Sequence, residues 1–234
     1  MIKIMVLNFI LGFSVPLVAR RIIKAFPSDA GTSLAYSMKP RVKTINIKHW
    51  KKYSELNTVL MLLCLIYALI MANTALFFAT YSNIDAGWIA VFLWLSFVLM
   101  EIDRRVMLLP DILTSPLLIL GFAFAVFNPE TISPLESAVG AMFGYFMPML
   151  CAFIMTFKKP ESLGGGDIKA MAALGAWLGI YLLSIALVVS FVIFLGIMIV
   201  KRERAGPYGP ALFIAAIVTL MLSNIEPVMQ YFKW

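Results

Sequence analysis

Residues 86–102, AGWIAVFLWLSFVLMEI, decide the kind of fold. Their core at 88–100 is a continuous apolar run. A helix needs roughly 20 such residues, with a range of about 17–25, to cross the hydrocarbon of a membrane. The run is followed at once by ionisable residues, Glu101, Asp103, Arg104 and Arg105. The segment therefore predicts a transmembrane helix with charged groups at one end.

The composition of the whole chain also indicates a membrane protein. Hydrophobic residues make up 62% and charged residues 13% of its 234 residues, and the mean hydropathy is +0.94. A soluble domain needs a surface that is roughly 25–35% charged, so this chain could not hide its apolar side chains from water. The net charge of +7 is then better read as an orientation signal than as a nucleic-acid binding surface, and no nucleic-acid partner is expected.

Eight apolar runs are candidate membrane spans, and we predict an all-α, polytopic membrane protein. The runs cover about 3–19, 56–80, 86–102, 112–127, 136–157, 168–179, 180–200 and 209–225. Gly175 and Gly179 leave the boundary between the sixth and seventh runs open. The first run ends at Arg20 and Arg21 rather than at a small-residue cleavage site, so no cleavable signal peptide is expected.

The basic residues fall on one side of this eight-span arrangement. Of the 19 Lys and Arg residues, only Lys3 and Lys233 lie on the other side. Cytoplasmic loops carry the excess of basic residues, so we expect the basic side to face the cytoplasm and both termini to lie opposite. The basic loops are 20–55, 103–111, 158–167 and 201–208.

The loop 20–55 is the one sizeable hydrophilic segment. We interpret it as an orientation signal that lies against anionic lipid headgroups, and a contact surface for a substrate or partner is the alternative. Cys64 and Cys151 lie inside apolar runs and are expected to be buried. No metal site is expected, because His49 is the single histidine and tetrahedral zinc needs four ligands.

Four acidic residues lie at or near the predicted cytoplasmic ends of spans: Glu101, Asp103, Asp111 and Asp167. Ionisable groups at membrane depth are costly and tend to mark function. Asp111 follows Pro110 and is interpreted as the cap of the next helix. Glu101 is expected at the membrane interface, paired with a nearby arginine.

Asp167 directly follows three glycines, Gly164, Gly165 and Gly166. Residues without Cβ allow unusual backbone angles and close approach of another chain. The segment could hold an extended peptide by main-chain pairing. Alternatively, it is a tight turn with Asp167 as a helix N-cap.

Two facing carboxylates would suit aspartic-protease chemistry. Like charges held close cannot both ionise easily, so the pair shares one proton. The ionised member removes a proton from the attacking water, and the protonated member donates to the scissile carbonyl oxygen. The spacing does not assign the two roles.

Four segments of the chain resemble the bacterial type IV prepilin peptidases, membrane aspartic peptidases of the GxGD class. The segments at 103–116, 162–179 and 206–210 match family motifs, and the segment at 137–144 fits the span before the GxGD loop. In order along the chain, they are DRRVMLLPDILTSP at 103–116, SAVGAMFG at 137–144, SLGGGDIKAMAALGAWLG at 162–179 and GPYGP at 206–210.

The resemblance implies a role for each matching residue. Asp103 and Asp167 would be catalytic, and Gly164, Gly165, Gly166 and Lys169 would form the substrate-binding loop. The remaining motif positions would be structural: Pro110, Asp111, Thr114, Pro116, Pro207, Gly209 and Pro210. Residues 1–100 would be N-terminal spans with their basic loop, and 101–234 the peptidase core.

The resemblance also implies a substrate and a location. The family removes the basic cytoplasmic leader of prepilins, so we expect prepilin or pseudopilin partners, anionic lipid contacts and a bacterial inner-membrane location. The active site would face the cytoplasm. Proteolysis would need no cofactor. Many members carry paired CxxC motifs after the first span, and this chain lacks them. Methylation of the new N-terminus from S-adenosylmethionine therefore stays open.

Two other classes of function fit parts of the pattern. A proton- or cation-coupled transporter also uses paired carboxylates, but near the midplane of the bilayer and in repeated halves. A catalytically inactive scaffold of a pilus or secretion machine would not need the acidic pair intact.

Overall fold

The computed structural model describes residues 2–25, 57–81, 84–156, 164–202 and 206–223. These residues form seven helices, α1 (Ile2–Ala25), α2 (Asn57–Tyr81), α3 (Ala86–Val106), α4 (Asp111–Phe127), α5 (Pro134–Thr156), α6 (Gly165–Lys201) and α7 (Gly209–Ser223). Five of them are long and apolar enough to cross a membrane, while α4 and α7 are apolar but shorter. The predicted all-α fold is confirmed. Most of the loop 20–55, including His49, lies outside the described residues.

Helix α3 runs further than the sequence predicted. It continues past residue 102 to Val106, so Asp103 lies inside its last turn rather than beyond its end. Met107, which follows, adopts the left-handed conformation and donates its N–H to the Asp103 carbonyl. Arg104 and Arg105 pair with Glu101 one turn earlier, and such i,i+3 and i,i+4 pairs support the helix.

Gly179 interrupts α6. The helix has 37 residues, and a straight helix of that length would be about 55 Å long, against roughly 30 Å of hydrocarbon. Gly179 has φ 70° and ψ 175°, a combination open essentially only to glycine. The predicted boundary between the sixth and seventh runs is therefore a break inside one continuous element.

The contacts of α6 show that its second half turns back. The Tyr208 hydroxyl lies 2.5 Å from Ser190 Oγ in that half. The next residue, Gly209, is hydrogen-bonded to Asp103, which interacts electrostatically with Asp167 at the start of α6. In a straight helix Ser190 would lie roughly 35 Å from Asp167. The adjacent residues Tyr208 and Gly209 could not then contact Ser190 and Asp103 at the same time.

Small residues let α5 and the first half of α6 approach closely. A Cβ on either Gly140 or Gly175 would collide with the backbone carbonyl of the other. Ser137 adds a hydrogen bond of 2.7 Å to the Ala176 carbonyl. Such small-residue contacts are typical of helices that associate in lipid, and they fix α6 against its neighbour.

The N-terminal helices pack on α3, which carries the first acidic motif. The Trp94 indole N–H donates to Ser14 Oγ on α1 at 2.9 Å, and the Tyr67 hydroxyl on α2 donates to Glu101 at 2.8 Å. The predicted division at residue 100 falls inside α3, where the backbone is continuous. That division stays a prediction.

Candidate active site

Asp103 is held by the N-terminus of a helix far along the chain. Its side chain is buried in the last turn of α3. Its Oδ2 accepts a hydrogen bond of 2.8 Å from the backbone N–H of Gly209, the first residue of α7. The N–H groups of a first helical turn have no partner within the helix and favour anions. This contact offsets part of the cost of burying the carboxylate.

Gly209 fits against Asp103 because it has no side chain. A Cβ at Gly209 would lie 2.7 Å from Asp103 Oδ2 and 2.9 Å from Asp103 Cβ and Cγ. Pro207 precedes α7, and Pro210 is its second residue, where a missing N–H costs nothing. These positions of the predicted 206–210 motif therefore build the turn that carries the donor.

Asp167 is the third residue of α6. Gly164, in extended conformation, is the N-cap of this helix and accepts from the backbone N–H of Asp167 at 3.1 Å. The Asp167 carboxyl group turns back over Gly164, where a Cβ would lie 3.0 Å from Asp167 Oδ2. The interpretation of Asp167 as the N-cap is wrong, and Gly165 and Gly166 are helical rather than strand-like, because the helix begins two residues earlier.

The fold brings the two carboxyl groups together. Asp103 and Asp167 interact electrostatically although they lie on different helices. Asp103 accepts a hydrogen bond from the backbone at the start of α7, and the Asp167 carboxyl group lies against the Gly164 backbone at the N-cap of α6. Asp103 is buried and Asp167 is partly buried, so the arrangement can hold a negative charge shared by two carboxyl groups.

Tyr208 also lies beside the acidic pair. It belongs to the GPYGP segment, but the sequence did not predict a role for it. Ser190 donates its hydroxyl proton to the Leu187 carbonyl at 2.8 Å, so Tyr208 is the donor in its 2.5 Å contact with Ser190. Burial raises the pKa of Tyr208, which also interacts electrostatically with Asp167. Its place directly before Gly209 is the sequence signal that could have identified it.

Asp111 and Lys169 connect the starts of α4 and α6. The Lys169 ammonium lies 2.6 Å from Asp111 Oδ2, and both side chains are about half exposed, at 49% and 55%. Pro110 is the N-cap of α4, so the prediction that Asp111 caps this helix is wrong. Asp111 is the first helical residue, a position that also favours an acidic side chain.

The linker between α3 and α4 packs against the start of α6. A Cβ on Gly166 would lie 3.0 Å from the Leu109 Cβ and 3.2 Å from its carbonyl oxygen. The Thr114 hydroxyl donates to the Pro110 carbonyl at 3.4 Å, and Pro116 lies inside the N-terminal half of α4. The predicted structural motif therefore forms one packed corner beside the acidic pair.

Glu101 is fully buried within the protein, which the sequence did not predict; its location at the membrane interface stays a prediction. It pairs with Arg104 and Arg105, as predicted for an arginine partner, and also accepts from the Tyr67 hydroxyl. The sequence could not indicate this burial, because it depends on the packing of α2 against α3.

Within the described residues, no three His, Cys, Asp or Glu side chains are grouped so as to hold a metal ion. Cys64 is buried as predicted, and Cys151 is exposed on α5. The prediction of a buried Cys151 is wrong, because its side chain is exposed among the residues that the structure describes.

Comparisons with known proteins find one family repeatedly. Residues 90–200 match the model of the type IV leader peptidase family. A prepilin leader peptidase/N-methyltransferase of Dichelobacter nodosus is 36% identical over 163 residues, which are 66% of this chain and 56% of that relative. The protein of the same name from Aeromonas hydrophila is 37% identical, with 58% of its length covered. The chain thus spans little more than half the length of these two relatives.

A third relative is covered more fully. The prepilin leader peptidase/N-methyltransferase of Escherichia coli (strain K12) is 35% identical over 182 residues, which are 73% of this chain and 76% of that relative. No solved structure matches the chain. With this coverage and the family match across α3 to α6, the chain belongs to the type IV leader peptidase family.

Proposed function

We propose that this chain is a membrane-embedded aspartic endopeptidase that cleaves the basic leader peptide from type IV prepilins or pilin-like proteins. Asp103 and Asp167 would form the catalytic pair. The observation that carries the proposal is the convergence of these two carboxyl groups from α3 and α6, beside the N-terminus of α7. Family membership supports the same chemistry and substrate class.

The chemistry follows from two carboxyl groups that share one proton. The ionised carboxylate takes a proton from water as the water oxygen attacks the scissile carbonyl carbon, while the protonated carboxyl donates to the carbonyl oxygen. Collapse of the tetrahedral intermediate breaks the C–N bond, and the leaving nitrogen takes up a proton. The Gly209 N–H orients Asp103 during these steps.

The glycines before Asp167 and the side chain of Lys169 shape the site beside the two carboxyl groups. Gly164, Gly165 and Gly166 form the glycine-rich start of α6 beside Asp167 and offer little side-chain bulk to an approaching peptide. Lys169 is engaged with Asp111, so its role in the proposal is to hold this corner in place.

We infer a bacterial inner-membrane location with the site facing the cytoplasm, eight crossings and both termini opposite. The basic residues at the helix ends near the site support this orientation. The break at Gly179 and the return of α6 toward Tyr208 support two crossings by α6.

Methyl transfer is a second activity that the names of the relatives suggest. It would use S-adenosylmethionine, and no described residue is assigned to that molecule. The proposal therefore derives proteolysis alone. The test is to add S-adenosylmethionine to the cleavage assay and to measure the mass of the mature product, which rises if a methyl group is transferred.

The test is cleavage of a prepilin by the purified protein in detergent. We expect the wild type to cut, and Asp103→Asn and Asp167→Asn each to lose at least about 100-fold in kcat, because each removes one acid–base partner. The matched control is Asp85→Asn, at the exposed N-cap of α3, where Asn caps as well as Asp. A folded Asn variant with near-normal activity would remove that Asp from the catalytic pair.

Failure of the wild type to cut several prepilins would overturn the proposed function. Proton or cation flux in reconstituted vesicles that depends on both Asp103 and Asp167 would then favour the transporter. Absence of both cleavage and flux would favour the scaffold.

A further inference from the structure

A second charged cluster lies on the face of α3 that points away from Asp103. Glu101 is fully buried and precedes Asp103 by two residues, which places the two side chains roughly 200° apart around an α-helix. Asp103 faces the Gly209 N–H of α7, and Glu101 faces Tyr67 of α2. The end of α3 therefore buries one carboxyl group on each side.

Donors from two helices occupy both oxygens of Glu101. Arg104 donates from Nε and Nη2 at 2.9 Å each, Arg105 donates from Nε at 2.5 Å, and the Tyr67 hydroxyl donates at 2.8 Å. One buried carboxylate thus binds two guanidinium groups. The cluster has no role in the peptidase chemistry derived above.

The two arginines are the charges that follow Asp103 directly in the sequence. A positive charge within about 4–6 Å of a carboxylate favours its ionised form by the equivalent of about 1–3 pH units. The catalytic pair works with one shared proton and one negative charge. A guanidinium beside Asp103 would promote loss of that proton near neutral pH.

We propose that Glu101 is a positioning residue for the peptidase reaction, because it holds Arg104 and Arg105 on the Tyr67 face of α3 and keeps their charge away from Asp103. This inference rests on the proposed function. In this role Glu101 acts through the two arginines that it binds.

Other charged or titratable groups lie on the elements around this end of α3, and they stay constant in the experiment. They are Arg20, Arg21 and Lys24 at the end of α1, Cys64 and Tyr67 on α2, Asp111 on α4, Asp167 and Lys169 on α6, and Tyr208 before α7. A change in the pH profile that appears in Glu101→Gln and disappears when both arginines are also replaced therefore reports the two arginines.

The experiment is the pH dependence of prepilin cleavage by the purified full chain in detergent. Glu101→Gln removes the carboxylate that pairs with Arg104 and Arg105. We expect both limbs of the bell-shaped profile to move down by about one pH unit and kcat at neutral pH to fall about tenfold, with KM nearly unchanged. In the triple variant Glu101→Gln, Arg104→Gln, Arg105→Gln, we expect the wild-type profile to return.

The outcomes separate this inference from the proposed function. The positioning role is overturned if Glu101→Gln has the wild-type pH profile. It is also overturned if Glu101→Gln loses activity equally at every pH and the triple variant shows the same loss. Should Glu101→Gln fail to fold, the double variants Glu101→Gln, Arg104→Gln and Glu101→Gln, Arg105→Gln replace it, since each keeps one arginine without Glu101. A profile shifted down relative to the triple variant supports the inference, and profiles equal to that of the triple variant overturn it. If the wild type does not cut, or Asp103→Asn still cuts, the proposed function itself has failed.

Discussion

At the scale of single residues, the contact between Gly209 and Asp103 is the tightest constraint on the site. Gly209→Ala adds a Cβ that would lie 2.7 Å from Asp103 Oδ2, so the carboxyl group or the start of α7 must move. A displacement of about 1 Å at a reacting group costs on the order of 100-fold in rate, and we expect such a loss in kcat for prepilin cleavage.

Gly196→Ala is the matched control for this substitution, because a Cβ at Gly196 meets no atom within 4 Å. We expect it to cleave like the wild type. Normal cleavage by Gly209→Ala would mean that the hydrogen bond from α7 does not fix Asp103 for catalysis.

These residues also mark how far the sequence predicted the site. The sequence singled out Asp103 and Asp167, because both are ionisable residues at the ends of apolar runs and stand within motif-like segments; their catalytic role stays a prediction. The Gly209 donor was not, because it lies 106 residues from Asp103 and its role depends on how α7 packs. The burial of Glu101 was hidden for the same reason, since its partner Tyr67 lies on another helix.

At the scale of elements, the ion pair between Asp111 and Lys169 couples the start of α4 to the start of α6. Both side chains are about half exposed, and exposed pairs contribute roughly 0–1 kcal/mol. We therefore expect Lys169→Asp and Asp111→Lys each to slow cleavage by about two- to fivefold. The double variant with exchanged charges is expected to recover most of the rate, measured as kcat at constant ionic strength. Additive losses in the double variant would show that the pair does not act as a unit.

The break at Gly179 is a second feature at this scale. Its backbone angles, φ 70° and ψ 175°, are strained for any residue with a Cβ, at about 1–3 kcal/mol. We expect Gly179→Ala to lower the free energy of unfolding by about that amount, measured by denaturant unfolding in detergent micelles against Gly196→Ala. An unchanged stability would mean that α6 adopts a different path in the membrane.

At the scale of the whole molecule, the lengths of the apolar runs predicted the helices, because a run that must satisfy its backbone in lipid has few alternatives to a helix. The return of α6 was less accessible to sequence reasoning. Two glycines marked a boundary near 175–179, but a boundary alone does not say whether a chain bends, breaks or reverses. Contacts with Ser190 and Tyr208 carry that information, and they arise only after the helices pack.

The reversal of α6 predicts which residues lie on the same side of the membrane. If α6 crosses the membrane twice, Arg202 at its end lies on the same side as Met107 at the end of α3, while Glu130 between α4 and α5 lies opposite. All three residues are exposed, so single cysteines can be introduced there in a Cys64→Ser, Cys151→Ser background. In intact cells we expect a membrane-impermeant thiol reagent to label the cysteine at 130 and to reach those at 107 and 202 only after permeabilisation.

Labelling of 202 together with 130 would show a single crossing by α6. Labelling of 107 from outside would reverse the orientation, and the site would then face away from the basic cytoplasmic leaders that the proposed function requires.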